Sequence, residues 1–208
     1  MSSSEQQIAK YLLETKAVFL NPKDPFTWAS GIKSPIYCDN RVLLSFPSIR
    51  SKVIDAFVEI IKKNYPDVDC IAGVATAGIP HAALISDRMN LPMIYIRSSA
   101  KDHGLSKQIE GKFNPGAKIV VIEDLISTAS SSLKALEALA SEDVEVLGLA
   151  AIFTYGLDKA KQNLENAHVK AVTLSNYEAL IEVALQEKYI EESDLKTLQN
   201  WKKDLVSA

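Results

Sequence analysis

Glu123 and Asp124 stand side by side at the end of an apolar run, Ile119-Val120-Val121-Ile122. Leu125-Ile126 and a hydroxyl-rich stretch, Ser127-Thr128-Ala129-Ser130-Ser131-Ser132, come next. Carboxylates accept hydrogen bonds from the vicinal hydroxyls of a sugar, whereas hydroxyls and free backbone N–H groups donate to a phosphate. In this order the two sets can grip a phosphorylated ribose from both ends. The β-branched run predicts a buried strand, and the spacing from Leu133 to Ala140 predicts a helix, so the hydroxyls fall in a loop at a strand's carboxyl end. Ligands bind at that edge of an open parallel sheet, and the next helix offers unpaired N–H groups and a positive dipole end. Neither Gly-x-x-x-x-Gly-Lys-Ser/Thr nor Gly-x-Gly-x-x-Gly occurs, which disfavours an NTPase or a dinucleotide enzyme. The same letters also fit an ordinary strand and a serine-rich turn into a helix capped by Ser131 or Ser132.

The elements around this loop alternate. Helical spacing over Ile8 to Val18 is broken by Asn21-Pro22-Lys23-Asp24-Pro25. From Pro47 the pattern reads helix to about Asn64, strand Cys70 to Ala75, helix Pro80 to Met89, strand Met93 to Ile96, a long polar loop, strand Lys118 to Ile122, and helix Ser132 to Leu139. Strands at Val144 to Phe153 and Val169 to Leu174 follow, then helices from Tyr177 and Ser193. Such alternation predicts an α/β fold, a mostly parallel sheet with helices on both faces. At 208 residues and 47% hydrophobic the chain can bury its own core, and no linker divides it. Net charge −3 argues against a broad nucleic-acid footprint. No apolar run is long enough to span a bilayer, Met1 to Lys10 lacks a signal-peptide core, and two cysteines, Cys38 and Cys70, make no disulfide framework. A cytoplasmic protein is the expectation.

The acid-acid-Leu-Ile-Ser-Thr-small-small-Ser pattern resembles the phosphoribosyl pyrophosphate (PRPP) motif of the type I phosphoribosyltransferases. Three further segments are similar to the orotate phosphoribosyltransferase family within them. Phe26-Thr27-Trp28-Ala29-Ser30-Gly31-Ile32-Lys33-Ser34-Pro35-Ile36-Tyr37 resembles its N-terminal hood, Gly73 to Ala83 its pyrophosphate loop, and Tyr95-Ile96-Arg97 through Lys101-Asp102-His103-Gly104 to Gly111 its catalytic lid. The resemblance runs from about Thr15 to Tyr155. It implies a type I phosphoribosyltransferase fold over residues 1–208, with a small hood formed by about 1–45 and a lid loop of about 98–111.

It also implies an activity, displacement of pyrophosphate from C1 of PRPP by N1 of orotate, giving orotidine 5'-monophosphate for pyrimidine synthesis. A leaving pyrophosphate gathers negative charge, so catalysis is expected to be electrostatic, through Arg97, Lys101 and His103 with Asp124, and with no nucleophilic side chain. PRPP would be held by Glu123, Asp124, Leu125, Ile126, Ser127, Thr128, Ala129, Ser130 and Ser131, by Thr76 and Ala77, and by the lid cations. Mg²⁺ would be bound mainly through PRPP itself. In the resemblance the Ala75–Thr76 peptide is cis, Tyr37 stacks on the base, and a homodimer shares its lid across the interface. The same fold acting on another base, or a non-catalytic PRPP-sensing regulator, are the alternatives.

The chain departs from relatives at several of these positions. Ala29, Cys38 and Ala77 stand where some have lysine, a second aromatic and lysine, and no arginine follows Arg97 to meet the orotate carboxylate. That contact is left to Thr128, the hood amides or Lys33. Ser98 and Ser99 occupy lid positions where a lysine is found in one branch or the other, with Lys107 able to compensate, and Ala129-Ser130 replaces glycines, where a β-carbon resists positive φ. His81 and His168 lack metal-ligand companions, and both cysteines are read as inert.

Overall fold

The computed structural model describes residues 3–27, 33–99 and 108–206. Its elements are α1 (Ser4–Glu14), β1 (Val18–Leu20), β2 (Phe26–Thr27), β3 (Lys33–Ser34), β4 (Ile36–Cys38), a 3-10 turn (Asn40–Ser45), α2 (Pro47–Asn64), β5 (Cys70–Val74), α3 (Gly78–Met89), β6 (Met93–Ile96), β7 (Ile109–Glu110), β8 (Ala117–Ile126), α4 (Ser130–Ala140), β9 (Val144–Thr154), α5 (Asp158–Asn166), β10 (Ala171–Asn176), α6 (Tyr177–Gln186) and α7 (Glu192–Val206). None of the described helices is long and apolar enough to cross a membrane.

The central sheet has six strands in the order β10-β9-β8-β5-β6-β7. Its pairs are parallel except β6–β7. From β5 the chain moves outward to β6, whereas from β8 it moves the other way to β9. The carboxyl ends of β5 and β8 therefore flank a topological switch point, where an open sheet leaves a crevice.

Strand β8 shows why an unbroken apolar run becomes a central strand. Val120 and Ile122 enter one core with Leu12, Phe57, Ile85 and Leu180, from α1, α2, α3 and α6. Ile119 and Val121 enter a second core with Leu136, Leu139 and Ala160, from α4 and α5. Both faces are covered, so both alternating sets are apolar. Each such buried side chain stabilises the fold by about 1.5–3 kcal/mol relative to exposure.

The structure corrects several element boundaries. The first helix ends at Glu14 because Lys16 takes a left-handed φ of 58°, which frees Val18 to open β1. β8 does not stop at Ile122. It runs through the two acids to Ile126, paired with β9 up to Thr154. Helix α5 carries no apolar stripe to announce it, since Ala160 alone of its residues is fully buried. Residues 18–38 form two small antiparallel pairs, β1–β4 and β2–β3, separate from the main sheet.

Gly78 seats the start of α3 directly on β8, because a β-carbon there would lie 2.4 Å from the Ile122 carbonyl oxygen. Backbone cannot yield as a flexible side chain can. Gly78→Ala is expected to cost about 1–3 kcal/mol, read as a lower midpoint in urea with an unchanged slope. Wild-type stability would show that α3 shifts at no cost.

Candidate active site

Two helix N-termini meet at the crevice. The loop after β5 leads into α3 and the loop after β8 into α4, and neither helix has a side-chain N-cap hydrogen bond. Their first N–H groups thus lack the partner a capping residue would supply, and the positive ends of both dipoles favour an anion. Ala129, not a serine, is the N-cap of α4, with φ 64° and a buried methyl. A non-glycine residue bears a cost of roughly 1 kcal/mol in that conformation, so this loop holds the turn its sequence resists. The Ala75–Thr76 peptide bond is cis, as the resemblance implies.

Alternation along β8 sends its acids to opposite faces. Glu123 lies beneath α4, 5% exposed, and accepts from the Ser132 hydroxyl at 3.3 Å. Burial, then the charge of Asp124, pushes its carboxyl up to about 8. Asp124 faces the hood side, near Asp39, Arg41 and Cys38, and burial raises its carboxyl too. Asn40, fully buried, donates to the Asp124 carbonyl at 2.7 Å and fixes the strand's end. Asn163 on α5 does the same for the phosphate loop, donating to the Thr128 carbonyl at 2.8 Å, while the Thr128 and Ser130 hydroxyls share a 2.9 Å hydrogen bond. Sequence reasoning missed both asparagines. Neither belongs to a recognisable spacing, and each acts across 35 or more residues.

The Glu123 shift makes a pH prediction for the ligand-free protein. A carboxyl at about 8 when folded, against its ordinary 4.5, binds extra protons in the folded state between those values. Its contribution is complete below about 4.5 and is lost as pH rises through 8. Glu123→Gln is expected to flatten the fall in melting temperature across that window. An unaltered profile would place the carboxyl in water.

Arg97 directly follows β6, and one nitrogen of its guanidinium lacks a partner among the described residues. Nη1 is buried without a hydrogen bond to any described residue, and Glu110 Oε1 is 3.9 Å away. It borders a cavity of about 230 Å³ together with Ala75, Ser98, Ser130, Ser131 and Lys134. Pyrophosphate-loop, phosphate-loop and lid-base residues thus converge, and Lys134 joins them although nothing in its local sequence marked it. The two ends of the polar loop are tied at its base. Arg97 N–H donates to the Gln108 carbonyl at 2.9 Å, and Gln108 Nε2 donates to the Arg97 carbonyl at 2.8 Å.

A model of the phosphoribosyl transferase domain matches residues 42–188. The chain is 60% identical over 202 residues to the orotate phosphoribosyltransferase of Listeria innocua, covering 97% of each. The chain belongs to the orotate phosphoribosyltransferase family. Among solved structures it resembles the orotate phosphoribosyltransferase of Aeropyrum pernix, at 29% identity and TM-score 0.76, covering 88% of this chain and 99% of that one. It also resembles Leishmania donovani UMP synthase, at 26% identity and TM-score 0.81, covering 98% of this chain and 43% of that longer one.

Of the residues expected from this family's pattern, Thr76, Ala77, Arg97 and Glu123 to Ser131 gather at the crevice edge of the sheet. Lys101, His103 and Lys107 of the lid, and Trp28 to Ile32 of the hood, lie outside the described residues. Tyr37 is 44% exposed with its ring 5.9 Å from that of Phe26, so a face is available to a base. Lys33 is exposed at the start of β3. Burial lifts both thiols, Cys70 to about 11 and Cys38 well above its usual range, which disfavours the thiolate of each at neutral pH. His81 is fully buried, and desolvation lowers it to about 4, which keeps it neutral.

Proposed function

We propose that the chain transfers the 5-phosphoribosyl group of PRPP to N1 of orotate, releasing pyrophosphate and orotidine 5'-monophosphate in pyrimidine synthesis. The observation that carries this is the convergence of two helix N-termini, Arg97 and Asp124 at the β5/β8 switch point in a chain of this family.

The geometry suits the chemistry. The α4 N-terminus and the hydroxyls of Ser127, Thr128, Ser130 and Ser131 hold the 5-phosphate, and Asp124 accepts from the ribose hydroxyls. Glu123 braces the loop through Ser132. The amides of Thr76 and Ala77 and the guanidinium of Arg97 meet the diphosphate, whose negative charge grows as the C1–O bond breaks, and Lys101 and His103 add charge from the lid. Tyr37 covers the pyrimidine, with Thr128 or Lys33 at its carboxylate. N1 of orotate supplies the electron pair, so these residues orient and stabilise without forming a covalent bond.

Among the described residues no three acidic, thiol or imidazole groups converge as a metal cage. The acids present fit a cation that arrives already coordinated by PRPP, and Mg²⁺ held that way would neutralise charge on the diphosphate. We further propose a homodimer in which each lid serves the neighbouring site. A cytoplasmic location accords with two free thiols. Loss of orotate absorbance on adding PRPP and Mg²⁺ tests the activity. Turnover of uracil, hypoxanthine or adenine in place of orotate would overturn the base assignment.

A further inference from the structure

We infer that Trp201 of α7 is a positioning residue for the nucleobase hood, setting the affinity for orotate while PRPP binding and the chemical step proceed without it. The inference rests on the hood being where orotate binds, as proposed above. Trp201 Nε1–H donates to the Lys33 carbonyl at 3.0 Å, joining parts of the chain 168 residues apart. Lys33 opens β3, and the next residue transmits its position. Ser34 is fully buried, its hydroxyl donating to the Ile36 carbonyl at 2.7 Å and accepting from the Ile36 N–H at 3.2 Å. That closes a rigid turn around Pro35, whose carbonyl is itself held by Asn21 N–H at 2.7 Å. Tyr37 is the first residue beyond the turn, in register with Phe19 of β1. A shift at Lys33 is therefore carried to the aromatic face offered to the base.

The other side of Trp201 rests on the core. Its ring meets Tyr155 edge-on at 6.3 Å and Tyr177 at 5.7 Å. Tyr155 and Tyr177 are 3% and 1% exposed, and the Tyr177 hydroxyl donates to the Leu198 carbonyl of α7 at 3.1 Å. Burial raises the Tyr155 phenol, and the nearby Cys38, Tyr177, Tyr37 and Asp124 add to the rise. An outer tether, Lys23 to Glu191 at 3.4 Å, is exposed and adds little. Helix α7 thus reaches the hood from a fixed base through the indole N–H. The phosphate loop and the α3 N-terminus are held by other contacts, Asn163 and Gly78.

The test is steady-state kinetics on the whole chain with each substrate varied at saturating levels of the other. Trp201→Phe keeps a ring between the tyrosines and removes the N–H. Its KM for orotate is expected to rise roughly three- to tenfold, the usual worth of one hydrogen bond, with kcat and the KM for PRPP within about twofold of wild type. Trp201→Leu removes the ring as well and is expected to move the orotate KM further and lower the melting temperature. If Trp201→Leu does not fold, Trp201→Phe still decides. An unchanged orotate KM in Trp201→Phe, or a parallel loss in both KM values and kcat, overturns the inference. A wild-type protein that leaves orotate unconsumed overturns instead the reading on which it rests, and the control reaction shows that before any variant is compared.

Discussion

Lys101→Ala is expected to lower kcat by about 10²–10³-fold and to leave the affinity for PRPP within a few-fold of wild type. The diphosphate already carries negative charge on its terminal oxygens before reaction, but its bridging oxygen acquires charge only as the C1–O bond lengthens. A cation that meets that oxygen late in the step stabilises the transition state more than the ground state. The lid of this chain concentrates the effect, since Ser98 and Ser99 leave Lys101 and Lys107 as its lysines. In the proposed site Arg97, whose buried Nη1 has no hydrogen-bond partner among the described residues, would meet the diphosphate at the base of that loop. Single-turnover rates with PRPP binding measured by calorimetry separate the two quantities. An unchanged kcat would remove Lys101 from the chemistry.

Asp124→Asn is expected to act on both binding and turnover, with kcat/KM falling by about 10–10²-fold, because a charged acceptor is lost from the ribose hydroxyls in ground and transition states alike. Stability should not follow activity. Burial raises the Asp124 carboxyl, so its charge is unfavourable in the empty site, and the Asn40 hydrogen bond goes to the backbone carbonyl and survives the substitution. A melting temperature equal to wild type or higher, with activity lost, is the signature of a residue kept for its ligand. Wild-type kinetics would mean that the ribose lies elsewhere. Mixing the two impaired variants, at substrate levels where each alone is nearly silent, adds a test of the shared lid. Random exchange makes about half the dimers mixed, each with one site that keeps its own Asp124 and receives Lys101 from its neighbour, so roughly a quarter of wild-type activity should return. Confirmed exchange without recovery would assign each lid to its own subunit.

Much of this site is legible in the amino-acid sequence. The run from Ile119 to Ile122 is apolar on consecutive residues because both faces of β8 are covered, and the hydroxyls follow where a strand must end. The order of the motifs told which loops share an edge of the sheet. Local sequence also marked Ala129 as a departure, and the left-handed φ found there is a conformation that glycine adopts freely.

What stayed hidden has a common cause. Glu123 and Asp124 are adjacent letters, yet strand alternation continues through them and turns one under α4 and the other toward the hood, a divergence that depends on how far β9 pairs alongside. Helix α5 is polar almost throughout, because it meets the core with little more than Ala160 and the partly buried Leu164 and touches the site through Asn163, so its two apolar contacts are too few to announce it. Gly78 reads locally as a turn residue before Pro80, whereas its necessity comes from the Ile122 carbonyl of a strand more than forty positions away. Trp201 reads as one apolar residue of a terminal helix, and only the closure of that helix onto the first forty residues gives its N–H a partner. Local composition determined the five parallel strands of the main sheet and which residue types can meet a phosphate and a ribose, since those follow from periodicity and hydrogen-bonding capacity. Tertiary structure decided which face each acid takes and which distant carbonyl each Asn40, Asn163 and Trp201 donor satisfies, because a buried polar group finds its partner by proximity in space, which chain order does not encode.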